Sequence, residues 1–186
     1  MSTSAETKKA LSESLKKLCT IKPYDDISIS EITNQCDLNR QSFYYHFKDK
    51  AELLYWTYEN SDFGIIINNY NKNKDKHIIY SLKAMENERD FYVNTLKSNL
   101  MIFERFLFKK INGAFLETLN LLDTQNALSP EQRALLSGYY SFGLCGIIIK
   151  WASDGMAENA EKISECIDCL DLKSIFEVYL KNHLEN

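Results

Sequence analysis

The chain of 186 residues contains only 2 prolines and 6 glycines, and it has no linker rich in serine and glycine. Because glycine and proline mark turns, their small number favours long helices over a many-turned β architecture. The chain also lacks a run of 18 apolar residues and an N-terminal signal segment. The sequence therefore predicts an all-α, cytoplasmic protein with no membrane partner.

The sequence also lacks the motifs of most enzymes. Its 5 cysteines are an odd number at irregular spacing, which excludes a disulfide framework. Cys166 and Cys169 form a lone C-x-x-C pair without a second pair or a nearby histidine, and one apolar helix face accounts for both thiols. No Gly-rich phosphate loop, H-E-x-x-H or G-x-S-x-G motif occurs, and no carboxylate or nucleophile is placed to use His46. We therefore expect no enzymatic activity, no metal site and no cofactor.

The net charge of −4 is unevenly distributed along the chain. Residues 1–50 carry 8 Lys or Arg against 7 Asp or Glu, whereas the remaining residues carry 14 against 19. A nearly neutral N-terminal part on an acidic body argues against indiscriminate nucleic-acid binding. It suits a protein that contacts DNA over one small surface.

The most informative stretch runs from residue 28 to residue 50. Ser28 and Glu31 form the S-x-x-E pattern of a capping box, which predicts the start of a short helix. Asp37 tolerates the left-handed conformation that a tight interhelical turn requires, and Asn39 is a good N-cap for a second helix. A helix, a tight turn and a second helix with a polar face are typical of a helix-turn-helix motif.

The second helix of this motif carries side chains that can read base edges. Arg40 can bridge guanine O6 and N7, and Gln41 can pair with adenine N6 and N7. The start of the first helix offers N–H and hydroxyl donors to a phosphate. The alternative is an exposed polar helix face without a partner. The candidate DNA-binding residues are Ser28, Ser30, Arg40, Gln41, Ser42, Tyr44, Tyr45, His46, Lys48 and Lys50.

Residues 42–54, SFYYHFKDKAELL, resemble the DNA-binding domain of the TetR family of transcriptional regulators residue by residue. The likeness covers roughly the first 55 residues. The chain departs from the family pattern at Lys22-Pro23, where a glycine is usual, and at Asp37, which replaces the usual turn glycine. These departures concern loop geometry more than chemistry. A second likeness lies in the stretch from Gly143 to Met156, which resembles the C-terminal domain of a TetR branch that includes regulators of dihydroxyacetone kinase operons.

The resemblance implies a TetR-like fold with two domains. Residues 1–50 would form a three-helix helix-turn-helix domain, and residues 51–186 a helical bundle for effector binding and dimerisation. The implied function is that of a repressor, released by an effector, that binds a palindromic operator in double-stranded DNA as a homodimer. The alternative is a conditional activator whose C-terminal domain binds a regulatory protein partner.

Aromatic side chains are frequent in the C-terminal part, where the resemblance implies an effector cavity. An ordinary core would be built from the same residue types, so both interpretations stand at this point. No cluster of Arg or Lys occurs among these residues, which favours a neutral or weakly polar ligand over a phosphate. The candidate ligand-binding residues are Tyr58, Tyr80, Tyr92, Met101, Phe106, Tyr139 and Phe142.

Residues 138–149 are apolar on every side of a helix, and such a helix must be buried on all sides. In a chain this small, a second subunit is the predicted cover. Gly138, Gly143 and Gly146 would let another helix approach closely.

Cap signals predict the other helix boundaries. Thr3 caps the first helix, whose Lys16 could contact a phosphate or simply face solvent. Pro23 ends the first helix, and after the helix-turn-helix one helix runs from an Asp49 cap to about residue 67, followed by a break at 68–76. Helices are then predicted at 77–87, at 90–98 and from an Asn99 cap to about residue 123. The next helix starts at Ser129-Pro130 and ends at Asp154-Gly155, and the last two helices lie at 159–169 and 172–182.

Overall fold

The computed structural model describes residues 3–68, 77–123 and 126–168. Over these residues the chain forms nine α-helices and one short 3-10 turn (Tyr24–Asp26), without a strand. The all-α prediction is confirmed. The helices are α1 (Ser4–Cys19), α2 (Ile29–Asn34), α3 (Arg40–His46), α4 (Lys50–Asn60), α5 (Asp62–Asn68), α6 (His77–Asn87), α7 (Arg89–Leu122), α8 (Pro130–Ser153) and α9 (Ala160–Asp168).

The first four helices begin where the cap signals predict. Thr3 and Ser28 form complete capping boxes with the glutamates three residues later, while the Asn39 and Asp49 side chains accept hydrogen bonds from N–H groups of the first turn. Asp37 adopts the predicted left-handed conformation with φ 55°. Helices α1, α2 and α3 therefore form the predicted three-helix arrangement, with α3 as the second helix of the motif.

The predicted helix from Asp49 to residue 67 is wrong, because the chain breaks at Ser61 into α4 and α5. The Ser61 hydroxyl donates to Tyr58 O and accepts from the Gly64 N–H, which caps α5. A Cβ added at Gly64 would lie 2.1 Å from Tyr58 O, so the close approach of the two helices requires a glycine there.

Helix α7 contains a kink where the sequence predicts a boundary between two helices. Asn99 has φ −133° and ψ 38° inside an otherwise helical segment. Two helical segments therefore meet at Asn99, as the sequence predicts, and α7 comprises both of them across the kink. The segment after the kink packs along α8.

Helix α8 begins and ends as predicted, with a capping box at Ser129, Pro130 in the first turn, and a left-handed Gly155 (φ 76°) after its last residue. A buried clasp shapes the connection from α7, since the Asp123 carboxylate accepts from Ala127 N, Leu128 N and Arg133. Helix α9 matches the predicted helix at 159–169, whereas the one predicted at 172–182 lies outside the described residues.

The two faces of α8 differ in burial. Its inner face, which includes Ser137, Ser141 and Cys145, is buried against α7. Its outer face exposes large apolar side chains, so the expectation of burial on all sides is not met within one chain. The exposed apolar residues along this outer stripe are Leu135, Tyr139, Phe142 and Ile147. By length and composition α8 could also cross a membrane, a test that core helices of globular proteins pass as well.

Candidate nucleic-acid interface and effector region

Helix α3 presents its first two side chains to solvent. Arg40 and Gln41 are exposed, and neither forms a hydrogen bond or ion pair within the part of the chain that the structure describes. The Phe43 ring is fully buried, with its centroid 5.9 Å from that of the Phe47 ring. This buried ring anchors α3 in the core of the N-terminal helices. Arg40 and Gln41 are therefore held on a fixed helix with their donors free.

The aromatic residues of α3 are arranged around this anchor. Tyr45 is 83% exposed, and Tyr44 is half exposed with its ring edge-on to Phe43. His46 is half-buried, and its Nδ1 lies 3.5 Å from the Ser4 hydroxyl at the start of α1. Tyr44 and Tyr45 are thus accessible, while His46 bridges α3 and α1.

The three predicted serines lie at the starts of α2 and α3, and the Ser28 hydroxyl serves as the cap of α2. Ser28 donates its hydroxyl to the Glu31 carboxylate at 2.8 Å and accepts from the Glu31 N–H. Ser42 donates its hydroxyl to Asn39 Oδ1 at 3.1 Å, and Ser30 is half-buried in the first turn of α2. The hydroxyls of Ser28 and Ser42 thus stabilise the starts of α2 and α3.

The Glu31 carboxylate is the charged centre of the α2 cap. It accepts a 2.5 Å hydrogen bond from the Lys22 ammonium and a 2.9 Å bond from the Ser28 N–H. The Lys22 bond, followed by the bonds from Ser28, lowers the pKa of Glu31 to about 2. Glu31 is consequently ionised throughout the physiological range.

The two predicted phosphate-binding lysines differ in orientation. The Lys48 side chain is exposed. The Lys50 ammonium turns inward, where it donates to Tyr24 O and Ile27 O at 2.7 Å and lies 4.2 Å from the centre of the Tyr24 ring. Burial lowers the pKa of Lys50. In this conformation the carbonyls at the 3-10 turn accept the hydrogen bonds that the Lys50 ammonium donates.

A polar junction connects α1 with the start of α7, and sequence reasoning missed it. The Asn94 amide donates to Cys19 O at 2.6 Å and to Lys22 O at 3.0 Å. The Lys16 ammonium, a possible phosphate contact by sequence, lies 2.7 Å from Glu88 Oε1 instead. The partners are 72 to 75 residues apart, so no local signal could have revealed them.

Three of the seven predicted ligand residues lie inside a packed aromatic core. Tyr58, Tyr92 and Phe106 are fully buried, and the ring centroids of Tyr92 and Phe106 lie 5.8 Å and 5.7 Å from that of Tyr58. The Tyr58 hydroxyl donates to Thr95 Oγ1 at 2.7 Å, and the Tyr92 hydroxyl donates to Ser61 Oγ at 3.0 Å. Burial raises the pKa of both tyrosines. Their hydroxyls are satisfied within the protein.

The other four predicted ligand residues, Tyr80, Met101, Tyr139 and Phe142, are exposed. The seven residues therefore do not form one pocket in this conformation. An apolar cavity of about 60 Å³ does lie between α5, α6, α7 and α8, but none of the seven lines it. Binding sites for drug-sized ligands measure roughly 300–1,000 Å³, so this cavity is too small for one. Its lining residues are Phe63, Ile67, Ile78, Ser81, Leu82, Ile111, Ala114, Phe115, Leu144 and Ile148.

Metal-binding side chains are not clustered over residues 3–68, 77–123 and 126–168, where no group of three or more His, Cys, Asp or Glu is placed to hold an ion. Cys166 is exposed on α9, and Cys169 lies outside the described residues.

Comparison with known proteins yields matches over both parts of the chain. The family described as "Bacterial regulatory proteins, tetR family" matches residues 16–55, and the family described as "Transcriptional regulator C-terminal region" matches residues 72–170, more than half of the chain. A relative from Lactococcus lactis subsp. lactis (strain IL1403), named "HTH-type dhaKLM operon transcriptional activator DhaS", is 32% identical over 97 residues. That alignment covers 50% of each protein, so the chain spans about half the length of this relative.

A solved structure, "Dihydroxyacetone kinase operon activator DhaS", shares the fold with a TM-score of 0.65. The superposition covers 90% of this chain and 95% of that chain at 24% identity. The predicted TetR-like fold and the predicted likeness to this branch are both confirmed.

Proposed function

Because the chain belongs to the TetR family of transcriptional regulators, we propose that it binds operator DNA with α3 in the major groove. The observation that carries this proposal is the free, exposed pair Arg40 and Gln41 on a helix that Phe43 anchors. Arginine reads guanine and glutamine reads adenine through paired hydrogen bonds, and both side chains have their donors available.

The remaining contacts position the protein on the DNA backbone. Lys48 supplies an exposed ammonium, and the N-terminus of α2 supplies N–H groups held by the Ser28 cap. Lys50 acts indirectly in this scheme, because its ammonium orders the 3-10 turn that precedes α2. Residues 1–50 serve as the DNA-binding domain, and residues 51–186 carry assembly and regulation.

We further propose that two copies pair through the outer stripe of α8. Leu135 and Tyr139 are each 74% exposed, an unusual exposure for large apolar side chains on a helix. A Cβ added at Gly143 or Gly146 would meet nothing within 4 Å, so a partner helix has room to approach closely. A two-fold symmetric dimer reads a palindrome, with half-sites one helical turn or a multiple apart.

The direction of regulation that we favour is conditional activation in the cytoplasm. The Lactococcus relative is named as an operon activator, and the cavity of about 60 Å³ between α5, α6, α7 and α8 is too small for a drug-sized inducer. A regulatory protein that contacts the body of the dimer would then supply the signal. Repression relieved by an effector is the competing candidate, and it shares the same DNA-binding step.

The test begins with selection of bound sequences from a randomised DNA pool, followed by footprinting on the selected site. We expect a palindromic site, protection of two half-sites and a stoichiometry of two chains per site. Transcription from that promoter with purified polymerase, with and without the protein, then gives the direction. Failure to enrich any palindrome would contradict the proposed DNA recognition.

A further inference from the structure

The junction between α1 and α7 has a feature that DNA contact does not require. Asn94, on the first part of α7, directs its amide nitrogen at Cys19 O and Lys22 O. The last carbonyls of a helix have no partner within the helix and need outside donors. Asn94 therefore caps the end of α1 from a different element and fixes α1 against α7.

The ion pair between Lys16 and Glu88 is a second tie between the same helices. Lys16 lies three residues before Cys19 on α1, and Glu88 is the N-cap of α7. The side chains are 15% and 28% exposed, so water screens the pair only partly. Glu88 Oε2 is buried without a hydrogen-bond partner in the described structure, which leaves Lys16 to balance this carboxylate. The two ties together resist both sliding and rotation of α1 on α7.

These two ties matter because α7 connects α1, at one end, with α8 at the other. At its start, α7 holds α1, which packs directly on the recognition helix α3. Beyond the kink at Asn99, it packs along α8, whose outer stripe is the dimer surface proposed above. The angle between α1 and α7 thus sets where each recognition helix lies relative to the dimer axis.

We propose that Asn94, supported by the Lys16–Glu88 pair, is a positioning residue that determines which half-site spacing the dimer accepts. The inference rests on the proposed function, because it presupposes a dimer on a two-part operator. Successive base pairs are about 3.4 Å apart, so a small rotation at the junction suffices to misplace a recognition helix by one base pair. Asn94 itself touches no DNA in this scheme and leaves the contacts within each half-site unchanged.

The experiment measures the affinity of the protein for operators that differ only in the spacing between half-sites. The selected palindrome is compared with versions carrying one or two base pairs inserted or removed, and with an isolated half-site. The variants are Asn94→Ala, Lys16→Met, which keeps the apolar stem of the lysine, and the double variant. The matched control is Asn60→Ala, which removes an amide hydrogen bond of 2.8 Å within α4.

We expect the parent to prefer one spacing. Asn94→Ala removes two hydrogen bonds and should lower the ratio of affinities for the best and the shifted spacing by at least about 2–10-fold, the range that corresponds to one of them. Lys16→Met should act in the same direction and the double variant further, with unchanged affinity for the isolated half-site. Asn60→Ala should behave as the parent.

Three outcomes would overturn the inference: a parent without spacing preference, unchanged ratios in the variants, or an equal loss at every spacing and on the half-site. The last outcome would mean that the junction serves stability alone. If circular dichroism shows that Asn94→Ala is unfolded, the affinity ratio of Lys16→Met alone tests the inference. A parent that binds no palindrome, or remains monomeric, would instead contradict the proposed function.

Discussion

The hydroxyl of Tyr58 donates a 2.7 Å hydrogen bond to Thr95 Oγ1 in the interior of the aromatic core. Thr95 in turn donates to Phe91 O, so the chain of hydrogen bonds ends on a backbone carbonyl. All three residues are buried. The bond joins α4, which follows the DNA-binding helices, to the first part of α7, and it occupies a region where the sequence alone predicts a ligand.

The direction of this hydrogen bond predicts an asymmetry between two substitutions. Tyr58→Phe removes a donor and leaves Thr95 still bonded to Phe91 O, so it should cost about 0.5–1.5 kcal/mol of unfolding free energy. Thr95→Val has nearly the same shape but leaves the buried Tyr58 hydroxyl without an acceptor, which should cost about 1–3 kcal/mol. Urea unfolding of both variants measures the difference. Equal costs would mean that the hydroxyl of Tyr58 finds another acceptor.

Arg40 and Lys48 should affect DNA binding in different ways. Arg40→Ala should cost about 1–3 kcal/mol of binding free energy and relax the preference at one base position per half-site. Lys48→Ala should weaken binding to all sequences alike and reduce the salt slope by about one unit. Titrations on the selected operator and on a scrambled duplex at several salt concentrations separate the two effects. Parent-like binding by both variants would refute the contact assignment.

The outer stripe of α8 should govern assembly. A side chain at Gly146 meets nothing within 4 Å in the single chain, so Gly146→Glu should leave the monomer folded and place a charge in the proposed dimer contact. We expect light scattering to report a dimer for the parent and a monomer for the variant, with a matching loss of operator affinity. Ser153→Glu, at the exposed end of the same helix, is the control. A monomeric parent protein would remove this prediction.

The clasp between Asp123 and Arg133 should contribute strongly to stability. The carboxylate is 1% exposed and Arg133 is 17% exposed, so removing one partner leaves a buried charge unpaired. Asp123→Ala should cost about 3–5 kcal/mol of unfolding free energy. Lys150→Met, which breaks an exposed pair with Asp154, should cost no more than about 1 kcal/mol. Chemical denaturation of the two variants provides the comparison.

Glu31 should give the protein a specific sensitivity to acid. Its folded pKa of about 2 lies below the ordinary 4.5, because Lys22 and Ser28 donate to the carboxylate. A lowered carboxyl pKa stabilises the fold fully above pH 4.5, and this contribution is lost as the pH falls towards 2. Glu31→Gln should therefore lower the melting temperature at pH 7, and the gap to the parent should close between about pH 4.5 and pH 2. A gap independent of pH would point to packing instead.

Local signals predicted much of the N-terminal architecture. The caps at Thr3, Ser28, Asn39 and Asp49 were all readable, because a capping side chain and the N–H groups that it serves lie within three residues of one another. The left-handed conformation of Asp37 was also predictable from local sequence, because aspartate tolerates this conformation in a tight turn. Apolar spacing alone extended α4 across Ser61, although serine is a preferred N-cap residue and Ser61 caps α5.

The features that the sequence did not predict are the burial and the partners of individual side chains, which depend on contacts between residues far apart in the chain. Tyr58 and Tyr139 have the same side chain, yet one is fully buried and the other is 74% exposed. Residue type cannot distinguish a core ring from a pocket ring or a surface ring. Lys50 follows the same principle, since its partners are backbone carbonyls 23 to 26 residues away. Tertiary packing decided the role of each of these residues.

The close approach at Gly64 has a consequence for comparing this protein with its relatives. Any side chain at this position would collide with the carbonyl of Tyr58, so only glycine permits the angle at which α4 and α5 meet here. A relative with a larger residue at the equivalent position must have opened that angle or lengthened the connection. The residue at this single position thus distinguishes relatives that share the angle between α4 and α5 from relatives in which the two helices meet at a different angle.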